Sequence, residues 1–176
     1  MLTVDRAQLC DVKNRTSSML ASYVAIARSI FGNRDYLEDT RKGVAEILLW
    51  TRLLFNCQVW SPQTLLQRQE LAKPFFRVLR TVAREQPKLL LEQGKPVTTD
   101  EQVLYKLGLP DIETLMRASR LRYLRRLYAS GPKVLFALLQ EVRGSEICWK
   151  GAVVDDLKWL SRWSHESIPN PEAEPE

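Results

Sequence analysis

Between residues 16 and 163, apolar side chains recur three and four positions apart in segment after segment, and Gly or Pro punctuates most of the breaks. That spacing follows the 3.6-residue turn of a helix and not the two-residue alternation of a strand, so the core is expected to be built from helices alone. Only SPQTLL and GKPVTT leave room for short extended pieces. The fold class read from this pattern is all-α, an irregular bundle of about seven helices.

Local signals place the helices. Thr16, Ser17 or Ser18 is suited to cap a first helix that ends at Phe31 before Gly32, with Leu20, Tyr23, Val24, Ala27, Ile30 and Phe31 at helical spacing. A second runs from Leu37 to Phe55 or Cys57. Its apolar positions Val44, Ile47, Leu48, Trp50, Leu53 and Leu54 cover more than one face, the mark of a helix buried on several sides. Ser61-Pro62 pairs a cap residue with Pro at a first helical position and opens a third helix to Ala83, burying Leu65, Leu66, Leu71, Phe75, Phe76 and Leu79. Pro74 lies inside it, so one helix kinked near residues 69–73 and two shorter helices are both open.

Residues 85–99 hold two Pro and one Gly and form the best linker, although Leu89, Leu90 and Leu91 call for burial. Thr99 caps a short helix closed by Gly108, and Pro110 opens a long one to Ala129 that Gly131-Pro132 ends. A helix through Val142 and an amphipathic one from Val153 to Trp163, with the acids Asp155 and Asp156 in its first turn, complete the chain. The expected organisation is 1–84, 85–164 and a Pro- and Glu-rich disordered tail, 165–176.

Composition narrows the class. At 176 residues and 45% hydrophobic with five Trp, the chain is long and apolar enough to fold without staples. No run nears the ~20 apolar residues that span a bilayer, and Asp5 and Asp11 interrupt what a secretory signal would keep apolar. An untargeted chain of the nucleus or cytoplasm is expected, with no membrane partner. Cys10, Cys57 and Cys148 are odd in number and widely spaced, which argues against a disulfide framework, and Cys57 reads as a small buried hydrophobe.

Catalytic signals are scarce. The sole histidine, His165, stands at the edge of the tail, where it lacks the rigid support that positioning requires. No CxxC, HExxH, G-x-G-x-x-G or GxxxxGK[ST] occurs, so zinc, dinucleotide and P-loop chemistry lack support, and no cofactor, metal or small-molecule substrate is expected. Asp155-Asp156 is an adjacent carboxylate pair, but neighbours on a helix point about 100° apart and do not converge on ions.

The basic residues carry more. Lys and Arg number 26 against 21 acids, and the last twelve residues hold four Glu and no base, so the excess is concentrated before them. Such an excess favours acidic partners, nucleic acid first. Arg122, Arg125 and Arg126 fall on one flank of the 110–129 helix, while Arg117 and Arg120 lie towards its apolar side, placed to snorkel or to pair with acids. Arg77, Arg80 and Arg84, with Arg68 and Lys73, form a second series on the third helix. Helical arginines grip phosphates by bidentate bonds with no base readout. The alternative is a solvated face laced with internal salt bridges.

The order of segments adds a resemblance. NRDYLEDTRKGVAEILLWTRLLFNCQVW (residues 33–60) resembles the helix after the palm in reverse transcriptases of non-long-terminal-repeat (LINE-type) retrotransposons, where a basic turn leads to a pattern like LLYG-x-E-x-W. SPQTLLQRQELAKPFFRVLRTVA is similar to the next helix, with Leu79-Arg80 as its late LR pair. VLYKLGLPDIETLMRASRLRYLRRLYASGP is similar to the segment from a G-x-P turn into an R-L-R helix, at Gly108, Pro110, Arg120, Leu121 and Arg122. The similarity covers residues 17–135. It implies a thumb and connector that cradle a template–primer hybrid, without the palm that carries the polymerase aspartates. Asn56 replaces the glycine, Gln58 or Val59 the glutamate, and no YADD-like motif or CCHC knuckle is present, as in a degenerate fragment.

Two functions follow as expectations. One is non-enzymatic binding of the phosphate backbone of DNA, RNA or their hybrid through Arg77, Arg80, Arg84, Arg117, Arg120, Arg122, Arg125 and Arg126. The other is a helical remnant that meets a protein partner, such as a missing palm-type domain. An exposed apolar patch near Trp50, Leu54 or Trp60, together with dispersed arginines, would mark the second, and a continuous basic groove the first.

Overall fold

The computed structural model describes residues 2–60, 63–134 and 149–162. Among them the chain is all-α, with seven helices. These are α1 (Leu2–Ile26), α2 (Glu38–Val44, continued to Leu53), α3 (Leu65–Val82), α4 (Pro87–Glu92), α5 (Asp100–Leu107), α6 (Ile112–Ser130) and α7 (Trp149–Ser161). They form two compact units, Met1–Phe55 with Thr64–Ile112, and Asn56–Gln63 with Glu113–Glu176. The expected helix through Val142, the Ser61-Pro62 start, Trp163, His165 and the tail lie outside the described residues.

In the first unit α1 packs on α2 and α3, α2 packs on α3, and α5 on α3. α1 begins well before the expected cap. Thr16 and its neighbours lie inside it, because Val12 and Met19, two turns apart, bury one continuous stripe, and Asp11 pairs with Arg15 one turn on at 2.7 Å. Val24, expected inside, is exposed. The helix ends in a π turn, Ala27–Phe31, sealed by the Gly32 N–H donating to the Ala27 carbonyl at 2.7 Å.

α2 is buried on one side rather than several. A π segment, Ala45–Trp50, adds a residue per turn and so rotates the inward face to Ala45, Leu49, Trp50 and Leu53, leaving Ile47 70% exposed and Leu48 exposed with it. Asn56, at φ 56°, ends this stretch in the left-handed conformation that Asn tolerates better than most residues.

α3 runs unbroken through Pro74, which excludes two shorter helices. A capping box starts it: the Thr64 hydroxyl accepts from the Gln67 N–H while the Gln67 side chain accepts from the Thr64 N–H. Its buried stripe is Gln67, Leu71, Pro74, Phe75, Val78, Leu79 and Val82. Leu65 and Leu66 sit in the first turn, off that stripe, and are exposed against expectation. Phe75 touches Trp50 and Phe76 with ring centroids 5.3 and 5.5 Å apart, and Tyr23 Oη lies 2.9 Å from Thr81 Oγ1.

The expected linker contains α4, with Pro87 at its first turn and Leu90 buried, whereas Leu91 faces solvent. α5 keeps both expected ends: Thr99 and Gln102 form a second capping box, and Gly108 closes the helix at φ +60°. In the second unit, α6 buries Met116 and, one turn on, Arg120. α7 starts at Trp149, four residues earlier than expected, and buries Ala152, Val153 and Asp156. Trp149 Nε1 donates to the Gln58 carbonyl at 2.6 Å and stacks edge-to-face on Tyr123 at 6.0 Å.

Candidate phosphate-binding arginines

The early start of α7 changes what Asp155 and Asp156 are. They stand in mid-helix, not in a first turn. Asp155 faces solvent, and Asp156 is 1% exposed. Asp156 Oδ2 accepts from Arg120 Nε at 2.6 Å, and Oδ1 accepts from Arg120 Nη2 and from Arg117 Nη1, each at 3.1 Å. Arg117 Nη2 also donates to Glu113 Oε1 at 2.6 Å, and its guanidinium lies over the Trp159 ring. The expectation that Arg117 and Arg120 lean towards the apolar side holds. Both are neutralised within the unit, with Arg120 Nη1 buried and without an acceptor among the described residues.

The series on α3 is similarly engaged. Arg80 Nη2 donates to Asp100 Oδ1 at 2.7 Å and to the Thr98 carbonyl at 2.9 Å. Arg84 Nη2 donates to the Asn33 carbonyl at 3.0 Å. Arg77, exposed, lies over the Tyr23 ring. Lys73 pairs with Glu70 at 3.3 Å. This series belongs to the first unit and the α6 arginines to the second.

Arg122, Arg125 and Arg126 differ from the arginines held by carboxylates. They are exposed and form no ion pair among the described residues. At offsets of three and four they occupy about 100° of the helix surface. The opposite side of α6 is anchored through Met116 and the Arg120–Asp156 pair, so the three guanidinium groups project from a fixed backbone.

Of the aromatic residues near these segments, Trp50, Trp60 and Phe75 are buried, and Tyr123 is half-buried against Trp149. None of these four offers a free stacking platform. Cys57 is buried, as its apolar neighbours predict, and Cys10 is exposed. Among the described residues no three His, Cys, Asp or Glu side chains group to hold a metal ion, and no helix is long and apolar enough to cross a membrane.

Arg41 escaped the sequence reading. It lies in the first turns of α2 and is 4% exposed. Burial and the charge of Arg84, remote in sequence, both weaken its hold on its proton. No protein-family model, no curated protein and no solved structure matches the chain.

Proposed function

We propose that the chain binds the phosphate backbone of duplex or RNA–DNA hybrid nucleic acid, without catalysing a reaction, through Arg122, Arg125 and Arg126 on α6. The observation that carries this reading is the contrast within one helix: Arg117 and Arg120 are held by Asp156, whereas the next three arginines are exposed and form no ion pair among the described residues. Exposed, unpaired guanidinium groups on a rigid helix form bidentate bonds to phosphate oxygens without first breaking an internal ion pair. The contacts are to backbone, so the reading specifies no sequence. Arg80, Arg84, Arg117 and Arg120, engaged within their own units, act in holding the structure. A thumb-and-connector role in a reverse transcriptase is the biological setting that the sequence resemblance suggests, and phosphate binding by the three arginines does not depend on it.

The test is fluorescence anisotropy with labelled duplex DNA, RNA–DNA hybrid and single strands, titrated from about 50 to 200 mM salt. Wild type is expected to bind duplex and hybrid with a steep negative log–log slope. Changing Arg122, Arg125 and Arg126 together to Glu should weaken binding to every sequence and flatten the slope by roughly three, about one for each phosphate left unneutralised. Stability should hold within about 0.5 kcal/mol, since the positions are exposed. An unchanged slope in the triple variant refutes the role of this face. Absence of wild-type binding at the lowest salt favours the second reading, a module for a protein partner. That reading is supported by the exposed Ile47, Leu48, Phe55, Leu65 and Leu66, although Trp50 and Trp60, named as its marks, are buried.

A further inference from the structure

Charge is divided unequally within the second unit. The fourteen residues after Arg162 hold Glu166, Glu172, Glu174 and Glu176 and no Lys or Arg. α6, in the same unit, presents Arg122, Arg125 and Arg126 to solvent with no carboxylate against them among the described residues. An exposed basic stripe that suits a polyanion also attracts an acidic segment tethered close to it.

The course of α7 fixes how close that tether is. α7 runs antiparallel to α6: Trp149 meets Tyr123 at 6.0 Å, Asp156 holds Arg120 and Arg117, and the Trp159 ring lies 5.7 Å from the Arg117 guanidinium. The end of α7 is therefore level with the early turns of α6, and from Arg162 the exposed trio stands about 12–18 Å back along that helix. Glu172 is ten residues beyond Arg162. Ten residues span up to about 33 Å, enough to cover that distance and the width of a helix. Glu166, four residues beyond Arg162, has a reach of about 13 Å and falls short of most of the trio. Lys158 and Arg162, exposed on α7 itself, are the cations within its range.

The sequence of the distal acids suits the contact. PEAEPE, residues 171–176, sets an acid at every second position, and an extended run of that pattern presents its acids on one side. Their spacing would be about 6.6 Å, and Arg122 and Arg126, one turn apart, stand about 6 Å from each other along α6.

We propose that Glu172, Glu174 and Glu176 fold back on Arg122, Arg125 and Arg126 and compete with phosphate for them. The inference rests on the function proposed above for the α6 arginines and adds its regulation. The tether holds the acids at an effective concentration of about millimolar. Exposed ion pairs are individually weak, so a polymer offering several phosphates displaces the acids and a lone phosphate does not.

The full chain carrying Glu172→Gln, Glu174→Gln and Glu176→Gln is compared with wild type by anisotropy on duplex DNA. At about 50 mM salt the variant is expected to bind at least about threefold more tightly. The gap should close by about 200 mM, because salt screens the acids as well as the phosphates. Glu166→Gln should leave the affinity unchanged. In a background of Arg122→Gln and Arg126→Gln, which leaves Arg125 to bind, the gain should shrink. An equal gain in that background would overturn the proposal, since net charge alone would then account for it, and so would equal affinities of wild type and the glutamine variant. The contact is also read with no nucleic acid present. Nitrogen-15 spectra of the Arg122, Arg125 and Arg126 Nε–H groups should differ between wild type and the glutamine variant, and added salt should remove the difference. Identical spectra would overturn the contact. Differing spectra without duplex binding would support the contact and refute the phosphate-binding reading, so the two fail separately.

Discussion

Replacing Asp156 with Ala should be among the most costly single changes in the second unit, and its size can be worked from the contacts. The substitution removes one carboxylate and three hydrogen bonds, two from Arg120 and one from Arg117. The two arginines do not lose equally. Arg117, with its side chain 20% exposed, keeps Glu113 at 2.6 Å and the face of Trp159, so its loss is that of a surface pair, below about 1 kcal/mol. Arg120 has a side chain only 7% exposed and already carries an unsatisfied Nη1. Stranding a buried charge by deleting its partner costs about 3–5 kcal/mol. The total is therefore about 4 kcal/mol, a large part of the stability of an ordinary domain.

Urea unfolding is the assay, followed by circular dichroism and by tryptophan fluorescence, since Trp149 and Trp159 flank the pair on α7. Agreement between the two probes tests whether the units unfold together. Asp155→Ala is the control: it changes the same chemical group one residue away, at an exposed position, and should cost within about 0.5 kcal/mol. The pair Arg120→Met with Asp156→Leu should recover most of the loss, because apolar replacement of both partners removes the stranded charge. A cost below about 1 kcal/mol for Asp156→Ala, or one no greater than that of Asp155→Ala, refutes the reasoning.

Three further outcomes follow from the first unit. Burial favours the neutral form of Glu85. Hydrogen bonds from Lys106, at 2.6 Å, and from Thr98, with the charges of Lys106 and Arg80, outweigh it and hold the carboxyl below its ordinary value of 4.5. A folded-state value below the unfolded one contributes stability above pH 4.5 that disappears as pH falls through the lowered value. Glu85→Gln should accordingly cost more at neutral pH than in acid, which urea midpoints across that range measure. Gly108→Ala should cost about 1 kcal/mol from backbone strain alone, because φ is +60° and an added Cβ meets nothing within 4 Å. Gly43→Ala, equally open but inside α2, should instead stabilise by roughly 0.5–1 kcal/mol in the same assay.

Local features were legible where the chain itself decides them. Thr99 and Gly108 bound α5 because a cap hydroxyl and a left-handed glycine act within a few residues. What failed was decided at longer range or by a changed helical period. The π segment Ala45–Trp50 turned Ile47 and Leu48 outward, and a reading at 3.6 residues per turn has no means to anticipate that. Thr16 looked like a cap, but Val12 and Met19 extend one buried stripe past it. The candidate site shows the same division. Spacing fixed which arginines share a helix face, including the outward trio. It could not say that Arg80 would meet Asp100, or Arg120 meet Asp156 from a different helix.

The arginines of this chain are best separated by what neutralises them. Those of the first kind, Arg80, Arg117 and Arg120, meet carboxylates of their own unit and serve the fold. Arg122, Arg125 and Arg126 meet no carboxylate among the described residues and are exposed to water, where charge is inexpensive and attraction to a polyanion is screened within about 8 Å at physiological salt. Arg41 has little water, and the nearby charge of Glu38, one turn earlier, favours its ionised form. These last two kinds differ in physics. A buried guanidinium is screened far less by salt. An exposed stripe gains mainly by releasing counterions, so its affinity falls steeply with salt. Salt dependence therefore tests the exposed trio: polymer binding that disappears with added chloride is what contacts from α6 would give.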